Sequence, residues 1–91
     1  MPDFSPAFTV KASDRKLTRG ELIRAIRLSI ADEYEAIQVY TQLAESIDDK
    51  LSKKVLLDIA DEERVHVGEL QRLLFELAPD EKKFYARGHL K

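Results

Sequence analysis

Two apolar stripes at helical spacing, one in each half of the chain, constrain the fold more than any other feature. The first reads Ile26, Ile30, Glu33, Ile37, Tyr40, Ala44, Ile47 and the second Leu56, Ile59, Glu63, His66, Leu70, Leu73, Leu77. The steps alternate between three and four residues, which puts each set on one face of an α-helix. The two stripes are out of phase. Extending the first past Ile47 would bring Lys54 and Asp58 onto the apolar face, so a single unbroken helix is disfavoured. A break at Ser46–Asp49 resets the phase, and a break that short folds the helices back as an αα-hairpin.

Local features mark the ends. Thr18 and Glu21 form a Thr-x-x-Glu capping box, so the first helix begins near residue 19. Asp48 or Asp49 caps the second, which runs from about residue 50 to Leu77. Pro79 suits the first turn of a short third helix, Asp80 to Ala86, with Gly88 as its terminator. The chain therefore divides into an irregular arm (1–16), the hairpin (17–78), and a short helix with a tail (79–91) that contains His89. In the arm, Pro2 and Pro6 break regular structure, and Phe4 and Phe8 are expected to dock onto a neighbour.

The fold class is all-α. Two helices alone bury little, and Ile23, Ala31, Tyr34 and Val39 lie off the first stripe. A helix that is apolar on more than one side has more than one neighbour. The hairpin should pair at least as a dimer, making a four-helix bundle. With no cysteine among its 91 residues, the chain has no disulfide framework, thiolate metal site or cysteine nucleophile. The net charge of −2, with both signs interleaved, gives no nucleic-acid footprint. No apolar run spans a bilayer and no signal peptide opens the chain, so a soluble, cytoplasmic protein is expected.

Glu33, Glu63 and His66 are the ionisable interruptions in the two stripes. An unpartnered charge facing a core costs several kcal/mol, on the order of a domain's net stability. Glu33 and Glu63 each lie about fifteen residues from the centre of the loop, on opposite sides. In an antiparallel hairpin they sit at one height, with His66 one turn on from Glu63. Carboxylate di-metal bundles use a Glu from each of two helices and a Glu-x-x-His pair from each of the other two. One hairpin supplies half of that set, and two supply all of it. Four carboxylates also balance the charge of two divalent ions. Carboxylate with imidazole suits iron, manganese or zinc better than calcium or magnesium.

The segments Asp32-Glu33-Tyr34-Glu35-Ala36-Ile37-Gln38-Val39-Tyr40 and Asp61-Glu62-Glu63-Arg64-Val65-His66 resemble the rubrerythrin branch of the ferritin-like family. Within it they are most similar to the encapsulated ferritins, over about residues 18 to 78. The resemblance implies half a ferritin per chain and a ring-like decamer of five dimers. It also implies a ferroxidase that oxidises Fe(II) with oxygen at a di-iron site between two subunits, for storage in an encapsulin nanocompartment. By motif position Glu33, Glu63 and His66 match the iron ligands, and Tyr40 a tyrosine beside them. Asp32 and Glu35 match acidic positions near the metal's point of access. Val39 stands where some members have tryptophan, which implies a different control of access. No encapsulin-targeting peptide is recognisable after Gly88. Either the chain is trimmed there or it is loaded otherwise, for instance by fusion to the shell protein.

Plainer readings stand beside these. The Glu/His group alone is also consistent with a polar layer that fixes register in a non-enzymatic assembly module. A rubrerythrin-like peroxidase needs an electron donor that a cysteine-free chain must find elsewhere. Tyr40 serves as core filler with its hydroxyl near the site. Asp32 and Glu35 read most simply as solvated helix-surface residues, and Asp61-Glu62 as a charged outer face.

Overall fold

The structure, a computed structural model, describes residues 15–91, so the expectation for Phe4 and Phe8 lies outside it. Three helices follow one another: α1 (Arg19–Glu45), α2 (Lys50–Leu77) and α3 (Pro79–His89). No strand occurs among the described residues. The capping box opens α1. Thr18 Oγ1 accepts the Glu21 N–H at 3.2 Å, and Glu21 Oε1 accepts the Thr18 N–H at 2.8 Å. Arg15 donates to both Glu21 carboxylate oxygens at 2.7 Å. That bond, followed by the one from Thr18, holds the Glu21 carboxyl down at about 2. Thr18→Ala removes one side of the box. It should lower stability by about 1 kcal/mol, read as a lower urea midpoint at unchanged slope, while Thr18→Ser keeps the midpoint.

Asp49, rather than Asp48, caps α2. Its carboxylate accepts the Ser52 N–H at 2.9 Å and the Ser52 hydroxyl at 2.5 Å. Pro79 takes up the first turn of α3 as expected. Gly88 does not terminate that helix. It stays out of the left-handed region that a glycine stop requires, and α3 continues through it to His89. The Leu90 N–H then closes onto Arg87 O at 3.1 Å.

α1 and α2 pack along their length as an antiparallel hairpin. The main core lies at the end away from the loop. Ile26, Leu74 and Ala78 are buried there, with Leu22, Ile30, Leu70 and Phe75 packed around them. α3 is pinned over this end by an Arg27–Glu81 ion pair, a Tyr85–Glu81 hydrogen bond, and an edge-to-face contact of Tyr85 on Phe75 at 5.5 Å. Arg19 donates to Leu77 O at 2.6 Å, tying the start of α1 to the end of α2.

The α2 stripe closes the hairpin on a different flank from the one read in sequence. Leu56, Glu63, Leu70 and Leu77 are half-buried as expected. The tightest positions beside them are Ala60 and Leu74, each 1% exposed, whereas His66 and Leu73 are exposed. The shared positions recur every seven residues, and residues three or four steps on lie to opposite sides of that line. The side with the small Ala60 faces α1. The side with His66 and Leu73 faces outward, next to the exposed Val55 and Leu51. On α1, Tyr34, Val39 and Leu43 are also exposed. No helix among the described residues is long and apolar enough to cross a membrane.

Candidate metal centre

The matched heights read from the sequence are realised. Glu33 on α1 faces Glu63 on α2, and His66 reaches both from one turn further on. His66 Nδ1 lies 3.6 Å from Glu33 Oε2 and 3.6 Å from Glu63 Oε2. One donor atom from each of the three lies within 4.8 Å of the others, and no second such trio occurs among the described residues. Two donors about 2.1 Å from a common ion are ~3.4 Å apart in tetrahedral geometry. The imidazole is therefore placed against both carboxylates at close to the separation that a shared ion sets.

The electrostatics favour a cation. Glu33 Oε2 is buried and has no hydrogen-bond partner among the described residues. His66 neutralises the carboxylates only when protonated. The neighbouring cation, Arg64, is turned to solvent and bonds Asp61 at 2.9 Å. Two part-buried carboxylates are left with no fixed positive charge, which a divalent ion satisfies. The donor set therefore fits iron, manganese or zinc. It is incomplete, because three protein ligands leave coordination positions open, and 47% of the His66 side chain faces solvent.

Two grooves meet at Glu63. One, of about 440 Å³, is lined by Asp32, Glu33, Ala36, Val39 and Tyr40 as well as Glu63. The other, of about 300 Å³, is lined by Val55, Asp58, Ile59, Glu62 and His66 with Glu63. Tyr40 is thus placed in the groove beside the carboxylates. Asp32 and Glu35 are half-buried rather than solvated, and Asp32 Oδ1 is buried without a hydrogen-bond partner among the described residues. Glu35 belongs to neither the trio nor the groove linings. Sequence reasoning placed Glu62 on a charged outer face and passed over Asp58. Their spacing of four and eight residues from His66 is the pattern that would have set them on its side of α2.

Comparison with known proteins bears on the family and the fold. Residues 25–91 match the rubrerythrin family. The chain is 43% identical over 68 residues to a ferritin-like–encapsulin shell fusion protein of Pyrococcus furiosus, covering 75% of this chain and 20% of that protein. It is 35% identical over 81 residues to the encapsulin nanocompartment cargo protein EncC of Myxococcus xanthus, covering 89% of this chain and 61% of that one. The chain thus spans less than two thirds of either relative. Its structure superposes on the crystal structure of the encapsulated ferritin domain from Pyrococcus furiosus with a TM-score of 0.83 at 37% identity, covering 94% of this chain and 86% of that one.

Proposed function

The chain belongs to the rubrerythrin family of ferritin-like proteins, and on that premise we propose that it is a ferroxidase whose site is shared between two copies of the hairpin. The observation that carries this reading is the convergence of Glu33, Glu63 and His66 around a carboxylate oxygen that is buried and unpartnered. A second copy with the same trio brings the carboxylates to four and the imidazoles to two, the full set for two metal ions. The exposed flank beside His66, with Leu73 and Val55, is apolar surface that such a pairing covers.

Fe(II) is the substrate. Each ion gives up one electron, and oxygen accepts the electrons. Glu63, the wall common to both grooves, is the residue that two ions would share, and Glu33 and His66 would each hold one. The half-buried carboxylates exclude part of the water and offset the ions' charge, which rises as they are oxidised. Tyr40 places its hydroxyl beside the carboxylates. Asp32 and Glu35 make α1 attractive to cations approaching that groove. A hairpin cannot enclose a mineral. The names of the relatives support an encapsulin compartment as the place where this chain works and its product is stored, and the assembled form in this reading is the dimer, and a ring of five dimers.

The test is direct. Fe(II) is added to metal-free protein in air, and near-ultraviolet absorbance is followed together with mass by light scattering. Oxidation should run at least about tenfold faster than in buffer, with a mass that rises on metal addition. Oxidation at the buffer rate and a mass indifferent to metal would overturn the assignment.

A further inference from the structure

His66 has two ring nitrogens, and the site accounts for one of them. Nδ1 lies 3.6 Å from a carboxylate oxygen of Glu33 and 3.6 Å from one of Glu63. An ion held by the three residues takes the Nδ1 lone pair, which leaves the ring proton on Nε2. Among the described residues no hydrogen bond reaches Nε2, since the polar contacts of His66 are the two made through Nδ1. A metal-ligating imidazole ordinarily donates its other N–H to a carboxylate, a carbonyl or water, and that bond fixes the orientation of the ring. On the reading of the trio as a metal centre shared by two hairpins, we propose that Glu62 is its positioning residue. The Glu62 carboxylate accepts the Nε2–H of His66 in the same chain and holds Nδ1 toward Glu33 and Glu63.

Helix geometry puts Glu62 in that place. Consecutive residues lie ~100° apart around α2, and a helical side chain leans back over the turn before it. His66 therefore leans between Glu62, four residues back, and Glu63, three residues back. With Nδ1 on the Glu63 side, the other edge of the ring is turned toward Glu62. The smaller of the two grooves at Glu63 is lined by both Glu62 and His66. Asp58 lines it too, but stands ~12 Å along the helix from His66, a full turn beyond Glu62. Glu62 is exposed and has no hydrogen bond or ion pair among the described residues, while the neighbouring cation, Arg64, bonds Asp61. Pairing of the hairpins makes the contact necessary. On the open flank, beside the exposed Val55 and Leu73, water serves both groups. Once a second copy covers that flank, each loses its water, and leaving either the carboxylate or the N–H unpaired is costly. Each is then the partner the other can reach.

Zinc(II), which is not oxidised, tests this by binding alone, in competition with a chromophoric chelator. Glu62→Ala should weaken zinc about 10- to 100-fold, the usual cost of deleting such an acceptor, and Glu62→Gln, whose side-chain carbonyl still accepts, should stay within about threefold of the parent. Asp58→Ala removes the same charge from the same groove and should also stay within about threefold. Helix content should match the parent in each variant. A Glu62→Ala chain that binds zinc as the parent does would overturn the proposal. So would a loss in Glu62→Gln or Asp58→Ala as large as that in Glu62→Ala, which would make the effect one of net charge. A deficit that vanishes when the chain is concentrated about tenfold would overturn it as well, by placing Glu62 in the pairing of the hairpins instead. The ferroxidase reading fails separately. Zinc that binds the parent and Glu33→Ala alike would remove the centre itself, and the proposal with it. Oxidation at the buffer rate with the zinc pattern intact would cost the ferroxidase reading alone.

Discussion

Glu63→Ala is expected to bring Fe(II) oxidation down to the rate in buffer, a loss of at least about 100-fold, without unfolding the hairpin. In the proposed dimer this one substitution removes two of four carboxylates. Two divalent ions would then face two negative charges in a part-buried site, and the residue placed between both ions would be gone. The folded chain loses much less. Among the described residues Glu63 accepts no hydrogen bond, and its ionic contact is with a half-exposed His66. Taking away one of two facing carboxylates in the metal-free protein relieves repulsion. The metal-free melting temperature should therefore stay level or rise, while the rise in stability on adding metal disappears. Glu63→Gln, which keeps the volume and removes the charge, should fall with it. Measured oxidation within about threefold of the parent in either variant would move the site elsewhere.

The same residue shows how much was legible beforehand. A carboxylate in an apolar stripe is visible in any helical reading, and the loop position fixes the height at which its partner must stand. That is why Glu33, Glu63 and His66 were found together, and why the hairpin, the capping box and the α1 and α2 limits follow from the residues. Which flank of the α2 stripe closes the hairpin was not legible. Ile59, His66 and Leu73 are more polar or larger than Ala60, Val67 and Leu74 only in part, and a seven-residue repeat fits both flanks equally. The choice rests on close packing at Ala60, a tertiary effect with no periodic signature. Gly88 misled for a related reason. Glycine permits a helix stop without requiring one, and α3 had three more residues of helix to gain. The half-burial of Asp32 and Glu35 depends on the neighbouring helix and could not be read from α1 alone.

The outward flank has a consequence for kinetics that the ligand list does not. If His66 faces out of its own hairpin, one chain holds three donors on an open surface, and its centre is unfinished. A single ion there would keep several waters. It could also supply one electron, while reduction of oxygen to peroxide takes two. Activity should therefore belong to the dimer alone. Far below the dimer's dissociation constant the dimer concentration goes as the square of the chain concentration. Each tenfold dilution should then cost about 100-fold in initial rate, or tenfold per chain, where a self-sufficient chain would lose nothing per chain. The measurement is initial rate against chain concentration at fixed Fe(II), with mass read by light scattering at each point. Leu73→Glu, on the exposed flank beside His66 but outside the ligand trio, should shift the whole curve to higher concentration by at least about tenfold and leave the plateau rate per dimer unchanged. A rate strictly linear in concentration down to samples that scatter as monomer would leave Glu33, Glu63 and His66 of one chain sufficient, and the shared centre would have to be abandoned.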